Sequence, residues 1–160
     1  MGLLKNLDPV LSAELLWVLR VMGHGDRLAI VDCNFPAYEV ATRTTSKKLV
    51  SVGCDVPRAM EAILSVLPVD YFVPTPAVHM APSDGATLPP AGVEVIAAAE
   101  DVLRQQTGDA DLSAAPCERF AFYDEARTCF AVVQTTERRP YGNVILTKGV
   151  VGPDGKDLKP

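Results

Sequence analysis

Hydrophobic residues recur at helical spacing in three segments of the chain. The first segment follows Ser12, whose hydroxyl can cap a helix N-terminus, and we expect this helix to end at Gly23 in a left-handed conformation. The second helix is predicted over 57–67, with a proline in its first turn. The third is predicted over 93–106, where Gly108 can terminate it.

Short apolar runs without helical spacing predict strands between these helices. Residues 28–31 form a continuous apolar run bounded by charge, which is typical of a strand buried on both faces. The runs 129–135 and 144–147 are also typical of strands, and the polar segment 137–143 between them could join a pair. Residues 71–80 are apolar but contain two prolines, so they predict at best an edge strand or an irregular extended segment.

The segment 118–127 fits either a strand or a helix. Phe120 and Phe122 alternate as in a strand, but the length and the charged residues that follow favour a helix. Strands that alternate with helices predict a three-layer α/β/α arrangement. We expect one domain over 1–151, followed by a polar, loosely ordered tail over 152–160.

Composition and charge narrow the class of protein. The chain has 160 residues, of which 48% are hydrophobic and 22% charged, the balance of an ordinary globular protein. Its net charge of -5 argues against nucleic acid and anionic membranes as partners. The apolar run 15–22 is too short to span a bilayer and contains Arg20, so we expect a cytoplasmic location.

The cysteines and histidines form none of the spacings that hold a metal. Cys33, Cys54, Cys117 and Cys129 include no CxxC pair, which favours reduced thiols over disulfides or a zinc site. The glycines form neither a dinucleotide-binding motif nor a P-loop. We therefore expect neither a metal nor a cofactor.

His24 is the first candidate for acid–base chemistry. Histidine alone titrates near neutral pH without help from its surroundings, and two glycines flank His24 between a predicted helix and a predicted strand. Capping of the preceding helix explains the same placement. The other histidine, His79, lies in an apolar run and is more typical of a core or edge position.

Two further groups suit the binding of a hydroxylated ligand. Asp32 follows the strand 28–31, at the sheet edge where ligand crevices form in α/β folds, although it could merely belong to the next turn. Tyr141 and Asn143 flank Gly142, so a phenol and an amide could address one ligand. A tight turn between strands explains the same three residues.

Several motifs occur in order along nearly the whole chain. They read Leu-Ser-Ala-Glu-Leu-Leu at 11–16, Met-Gly-His-Gly-Asp at 22–26, Asp-Cys-Asn-Phe-Pro-Ala at 32–37, Arg-Phe-Ala-Phe-Tyr at 119–123 and Tyr-Gly-Asn-Val-Ile-Leu-Thr-Lys-Gly-Val at 141–150. Together they resemble the family of ribose pyranases and fucose mutarotases, the RbsD/FucU family. This resemblance implies a mixed sheet, a cofactor-free isomerase activity on free monosaccharides, and a homo-oligomer with sites near subunit contacts.

The resemblance also assigns roles to individual residues. His24 corresponds to the family's proton donor, and Asp32 either orients it or only binds the sugar. Arg119 stands where ribose-type members carry histidine, which favours fucose. The sugar-binding residues that the resemblance implies are Asp32, Arg119, Tyr141, Gly142 and Asn143.

The expected reaction is the interconversion of the α and β anomers of L-fucose. It requires a proton to leave the anomeric hydroxyl and another to reach the ring oxygen, so that the ring opens and recloses. The alternatives are a D-ribose pyranase, a non-catalytic sugar-binding accessory of uptake, and a structural oligomer with thiol chemistry at Cys33.

Overall fold

The structure is a computed structural model that describes residues 2–160. No helix in that range is both long enough and apolar enough to cross a membrane. The helices are α1 (Ala13–Val21), α2 (Ala37–Ala41), α3 (Val56–Leu64), α4 (Pro90–Thr107) and α5 (Arg119–Arg127). The strands are β1 (Arg27–Val31), β2 (Leu49–Ser51), β3 (Ala77–Ala81), β4 (Ala115–Glu118), β5 (Ala131–Gln134) and β6 (Val144–Thr147).

The six strands form one mixed sheet in the order β2-β5-β1-β6-β3-β4. All strands run in the same direction except β6, which is antiparallel to both of its neighbours, β1 and β3. The carboxyl ends of the five parallel strands therefore lie at one edge of the sheet, together with the start of β6. We call this the carboxyl edge, and the opposite one the amino edge.

Helices cover both faces of the sheet, as the alternation along β1 shows. Leu28 and Ile30 pack into a core with residues of α1, α3 and α4. Ala29 and Val31 pack on the other face, with residues of α2 and α5. The predicted three-layer α/β/α fold with a mixed sheet is confirmed.

Two of the three residues predicted to begin or end a helix do so in the structure. Ser12 caps α1, since its hydroxyl accepts a hydrogen bond from the backbone N–H of Leu15 at 3.2 Å. Gly108 ends α4 with φ 65°, as predicted. The prediction that Gly23 ends α1 in a left-handed conformation is wrong, because the chain there is already extended after α1 and Gly25 takes the positive φ of 84°.

Long-range pairing overturned two strand predictions. β3 is not an edge strand, because Pro74 and Pro76 precede it and it pairs with both β6 and β4. β5 and β6 are not paired with each other; they flank β1 on opposite sides, so the segment 137–143 passes the end of β1. The helix α2 follows Pro36 and is not among the predicted helices.

The end of the chain folds back instead of remaining loose. The backbone N–H of Gly152 donates to the carbonyl of Lys156 at 2.7 Å, and the N–H of Leu158 donates to the carbonyl of Val150 at 2.9 Å. Gly155 makes the turn between them with φ 80°. The expectation of a loosely ordered tail is therefore not met, because backbone hydrogen bonds that composition does not reveal hold it.

Gly149 allows a close backbone contact beside the sheet, and we predict that Gly149→Ala destabilises the fold. A Cβ atom at this position would lie 2.2 Å from the carbonyl oxygen of Val69, and a backbone atom cannot move away cheaply. We expect a loss of about 1–3 kcal/mol in urea unfolding. Gly53→Ala, where a Cβ meets nothing within 4 Å, is the control and should change stability by less than about 0.5 kcal/mol. Equal effects of the two substitutions would contradict the prediction.

Candidate active site

A polar cleft of about 200 Å³ opens at the carboxyl edge. Its volume lies below the roughly 300–1,000 Å³ of pockets for drug-sized ligands, so it suits a small molecule. Four of the six predicted site residues line it: Asp32, Arg119, Tyr141 and Asn143. The other lining residues are Asn34, Phe35, Met80, Tyr123 and Pro140.

Asp32 and Asn143 meet because the end of β1 lies beside the start of β6. The backbone N–H of Asp32 donates to Oδ1 of Asn143 at 2.9 Å, and Nδ2 of Asn143 donates to Oδ2 of Asp32 at 2.8 Å. The other carboxylate oxygen of Asp32 accepts from the backbone N–H of Asn34 at 2.9 Å. Both side chains are thus held before a ligand arrives, which reduces the entropy lost on binding.

Burial dominates the electrostatics of Asp32. The residue is only 4% exposed, and this loss of solvent raises the pKa of its carboxyl above the ordinary value of 3.8. The hydrogen bond from Asn143 opposes this shift, and the nearby Glu137 carboxylate adds to it. The cleft therefore contains a desolvated hydrogen-bond acceptor, which suits the hydroxyl groups of a neutral ligand.

Gly142 supports the cleft without lining it. A Cβ atom there would lie 2.8 Å from Cγ of Glu137 and 3.2 Å from Cγ2 of Val95. The preceding Tyr141 has φ 66°, an uncommon conformation for a residue with a side chain. Of the predicted Tyr-Gly-Asn element, the two side chains face the cleft and the glycine makes room for the loop.

Arg119 begins α5 directly after β4, at the same edge. Its Nε atom is buried and has no hydrogen-bond partner among the described residues. Its guanidinium lies against the ring of Phe120, with Cζ 4.7 Å from the ring centroid. A buried donor without a partner costs about 1–3 kcal/mol, so a ligand oxygen that accepts from it would recover that energy.

His24 lies at the amino edge, away from the cleft of its own chain. It precedes β1, whereas Asp32 follows it, and the five steps from Arg27 to Asp32 span about 16 Å at roughly 3.3 Å per residue. The His24 side chain is 49% exposed. Its ring packs edge-on against Phe72, with 5.6 Å between centroids.

Asp70 is the partner of His24 within the chain. Its Oδ1 atom lies 3.2 Å from Nε2 of His24 and also accepts from the backbone N–H of Phe72 at 3.0 Å. Asp70 is 1% exposed and its own N–H donates to the carbonyl of Thr147 at 3.1 Å. Within one chain Asp32 therefore does not orient His24, since Asp32 pairs with Asn143 and the carboxylate beside the imidazole belongs to Asp70.

Sequence reasoning missed Asp70 because the contact spans 46 positions and no local pattern marks it. Tyr123 could have been found, since it ends the Arg-Phe-Ala-Phe-Tyr motif.

His79 behaves as expected of a structural histidine, with Nδ1 3.1 Å from the carbonyl oxygen of Met80. Cys33 is exposed and free, but it is not among the residues that line the cleft.

The fold and the cleft define a class of protein. It is a three-layer α/β protein with a small polar cleft at the carboxyl edge of a mixed sheet. The chain belongs to the RbsD / FucU transport protein family, whose model matches residues 5–151.

Individual relatives resemble the chain over almost its full length. It is 39% identical to the fucose mutarotase of Danio rerio over 155 residues, which is 96% of this chain and 98% of the relative. The structure of FucU from Bifidobacterium longum matches with a TM-score of 0.77 and 34% identity, over 92% of this chain and 100% of the other. The fucose mutarotase of Streptococcus pneumoniae, solved in complex with L-fucose, matches with a TM-score of 0.76 and 29% identity, over 93% and 100%.

Burial of Asp32 has a consequence for stability. Because the pKa of this carboxyl is raised in the folded chain, the folded state binds more protons than the unfolded chain just above pH 3.8, and stability falls as the pH rises through that window. Asp32→Asn removes the carboxyl group and therefore its contribution to the pH dependence of stability. We therefore predict that the variant gains stability relative to wild type as the pH rises above 3.8, measured by urea unfolding.

The control for this prediction is Asp154→Asn, at an exposed turn. It removes a carboxylate outside the cleft and leaves the contribution of Asp32 in place. A stability difference between Asp32→Asn and wild type that stays constant or decreases with rising pH would contradict the assignment.

Proposed function

We propose that the chain is an L-fucose mutarotase, an isomerase that interconverts the α and β anomers of the free sugar. The observation that carries the proposal is the cleft that brings Asp32, Arg119, Tyr141 and Asn143 together. Its size suits a monosaccharide, and its lining offers acceptors and donors for hydroxyl groups. The names of the relatives, fucose mutarotases in organisms as distant as a fish and a bacterium, support the same activity.

In this proposal His24 is the acid–base group. It donates a proton to the ring oxygen while the anomeric hydroxyl releases its proton to water, which opens the ring to the aldehyde. Both transfers reverse when the ring closes on the other face of the aldehyde. An exposed imidazole suits this task because its two ring nitrogens can donate and accept protons. Asp70 holds Nε2 of His24 at 3.2 Å and fixes the orientation of the ring.

Because His24 and the cleft lie at opposite edges of one sheet, a second copy of the chain must bring them together. His24 of one copy then reaches the cleft of another, and the protein works as a homo-oligomer. The surroundings of His24 suit such a contact, since the large apolar side chain of Phe72 beside it is 50% exposed. The cleft itself contains no histidine among its lining residues.

By resemblance to the family, Arg119 stands where ribose-type members carry histidine, and this supports L-fucose over D-ribose as the substrate. A guanidinium presents several donors in a rigid plane, and the Nε of Arg119 has no hydrogen-bond partner within residues 2–160. A sugar oxygen can satisfy this donor while Asp32 accepts from a neighbouring hydroxyl. The buried carboxylate of Asp32 and the guanidinium of Arg119 thus offer an acceptor and a donor to the hydroxyl groups of a pyranose.

His24→Ala tests the proposal. We predict that the variant folds normally, because the side chain is half exposed, and loses the catalysed exchange by about 10²- to 10⁴-fold. Saturation-transfer NMR between the two anomers of L-fucose measures the rate. His79→Ala is the matched control and should retain the wild-type rate.

Wild-type exchange in the His24→Ala variant would remove this imidazole from the mechanism. Sugar binding by the wild-type protein without any acceleration of exchange would favour the accessory of uptake instead, since binding alone does not interconvert anomers.

A further inference from the structure

Residues 152–160 lie beyond the part of the chain that the family model matches, and we call them the tail. The tail forms a short hairpin, in which Val151 bridges to Asp157. This hairpin brings Asp157 and Lys159 against the segment 69–71, which contains the partner of His24.

Asp157 satisfies a buried backbone donor next to Asp70. On one side, the segment pairs with the end of β6, where the N–H of Asp70 donates to Thr147 and the N–H of Gly149 donates to Pro68. Successive amides of an extended chain point in opposite directions, so the N–H of Val69 faces away from β6. Oδ2 of Asp157 accepts from this N–H at 3.3 Å.

Lys159 holds the other neighbour of Asp70. Its Nζ atom lies 4.3 Å from the ring centroid of Tyr71 and 3.6 Å from Oδ2 of Asp109. The cation therefore contacts the face of the aromatic ring and pairs with a carboxylate beyond it. The tail thus contacts the residues on both sides of Asp70, although it does not touch His24.

We propose that the tail is a clamp that positions Asp70 and, through it, the imidazole of His24. Asp157 and Lys159 are then positioning residues for the acid–base group. The effect of the clamp on catalysis rests on the proposed function of His24. Its effect on the position of Asp70 relative to His24 does not. The contact is sensitive to small movements of the segment, because Oδ1 of Asp70 contacts both Nε2 of His24 and the N–H of Phe72.

The test compares Asp157→Ala with Asp157→Asn. The alanine variant leaves the N–H of Val69 without an acceptor, whereas the asparagine variant keeps an amide oxygen that can accept from it. Lys156→Ala is the matched control, since this exposed side chain belongs to the same hairpin and forms no hydrogen bond or ion pair with the described residues 69–71.

Two readouts separate positioning from general stabilisation. Proton–nitrogen correlation spectra of the imidazoles contain only two side chains, His24 and His79, so His79 serves as an internal reference. We expect Asp157→Ala to shift the ring resonances of His24 and not those of His79. We also expect it to lower kcat for L-fucose exchange by about 10- to 100-fold, with KM unchanged, because misplacement of a catalytic group by about 1 Å has effects of this size.

Asp157→Asn should bring both the His24 ring resonances and kcat most of the way back to the wild-type values. Lys156→Ala should match wild type in both. If Asp157→Ala does not fold, Lys159→Met, which keeps the length of the side chain and removes its charge, should give the same His24 shift. Wild-type resonances of His24 in a folded Asp157→Ala or Lys159→Met protein would overturn the clamp. A wild-type protein without exchange activity, in which the variants still shift His24, would instead overturn the proposed function and leave the clamp standing.

Discussion

The antiparallel insertion of β6 between β1 and β3 decides where the polar groups of the candidate site lie. Because β6 runs against β1, its start meets the end of β1, and Asn143 therefore pairs with Asp32. Its end meets the start of β1, where the carbonyl of Lys148 accepts from the N–H of Gly25, next to His24. One strand pair thus builds both the cleft at the carboxyl edge and the loop of the imidazole at the amino edge.

Under the proposed function, this arrangement separates sugar binding from proton transfer within one chain. The carboxyl edge holds a prearranged set of hydrogen-bonding groups and a desolvated carboxylate, and the amino edge holds an exposed imidazole with a buried aspartate behind it. Under the proposed function, neither edge is sufficient alone. Catalysis then depends on assembly, because each complete site draws its imidazole and its cleft from different copies.

Local patterns predicted the parts of the fold that neighbouring residues determine. Ser12 and Gly108 mark helix ends by their own conformational preferences, and the apolar run 28–31 marks the central strand. Partners distant in sequence were not predictable in this way. The central position of β3 and the folding back of 152–160 depend on hydrogen bonds between distant segments.

In the candidate site, too, the residues marked by local sequence were predictable and the contacts between distant segments were not. Asp32, Asn143 and Tyr141 stand at strand ends or turns that the sequence displays, and the structure brings them into one cleft. Asp70 was not found, because its relation to His24 arises only when the segment before β3 packs against the end of β6. Sequence reasoning located the chemical groups but not the distance between His24 and the cleft.

The most direct test of a site shared between copies mixes two variants, each of which should lose the exchange activity by itself. His24→Ala keeps the cleft and Asp32→Asn keeps the imidazole. If each site combines the two edges of different copies, refolding equal amounts of the variants together should restore about one quarter of the wild-type exchange rate, the random share of sites with both groups intact. A refolded, assembled mixture as inactive as either variant alone would contradict the account.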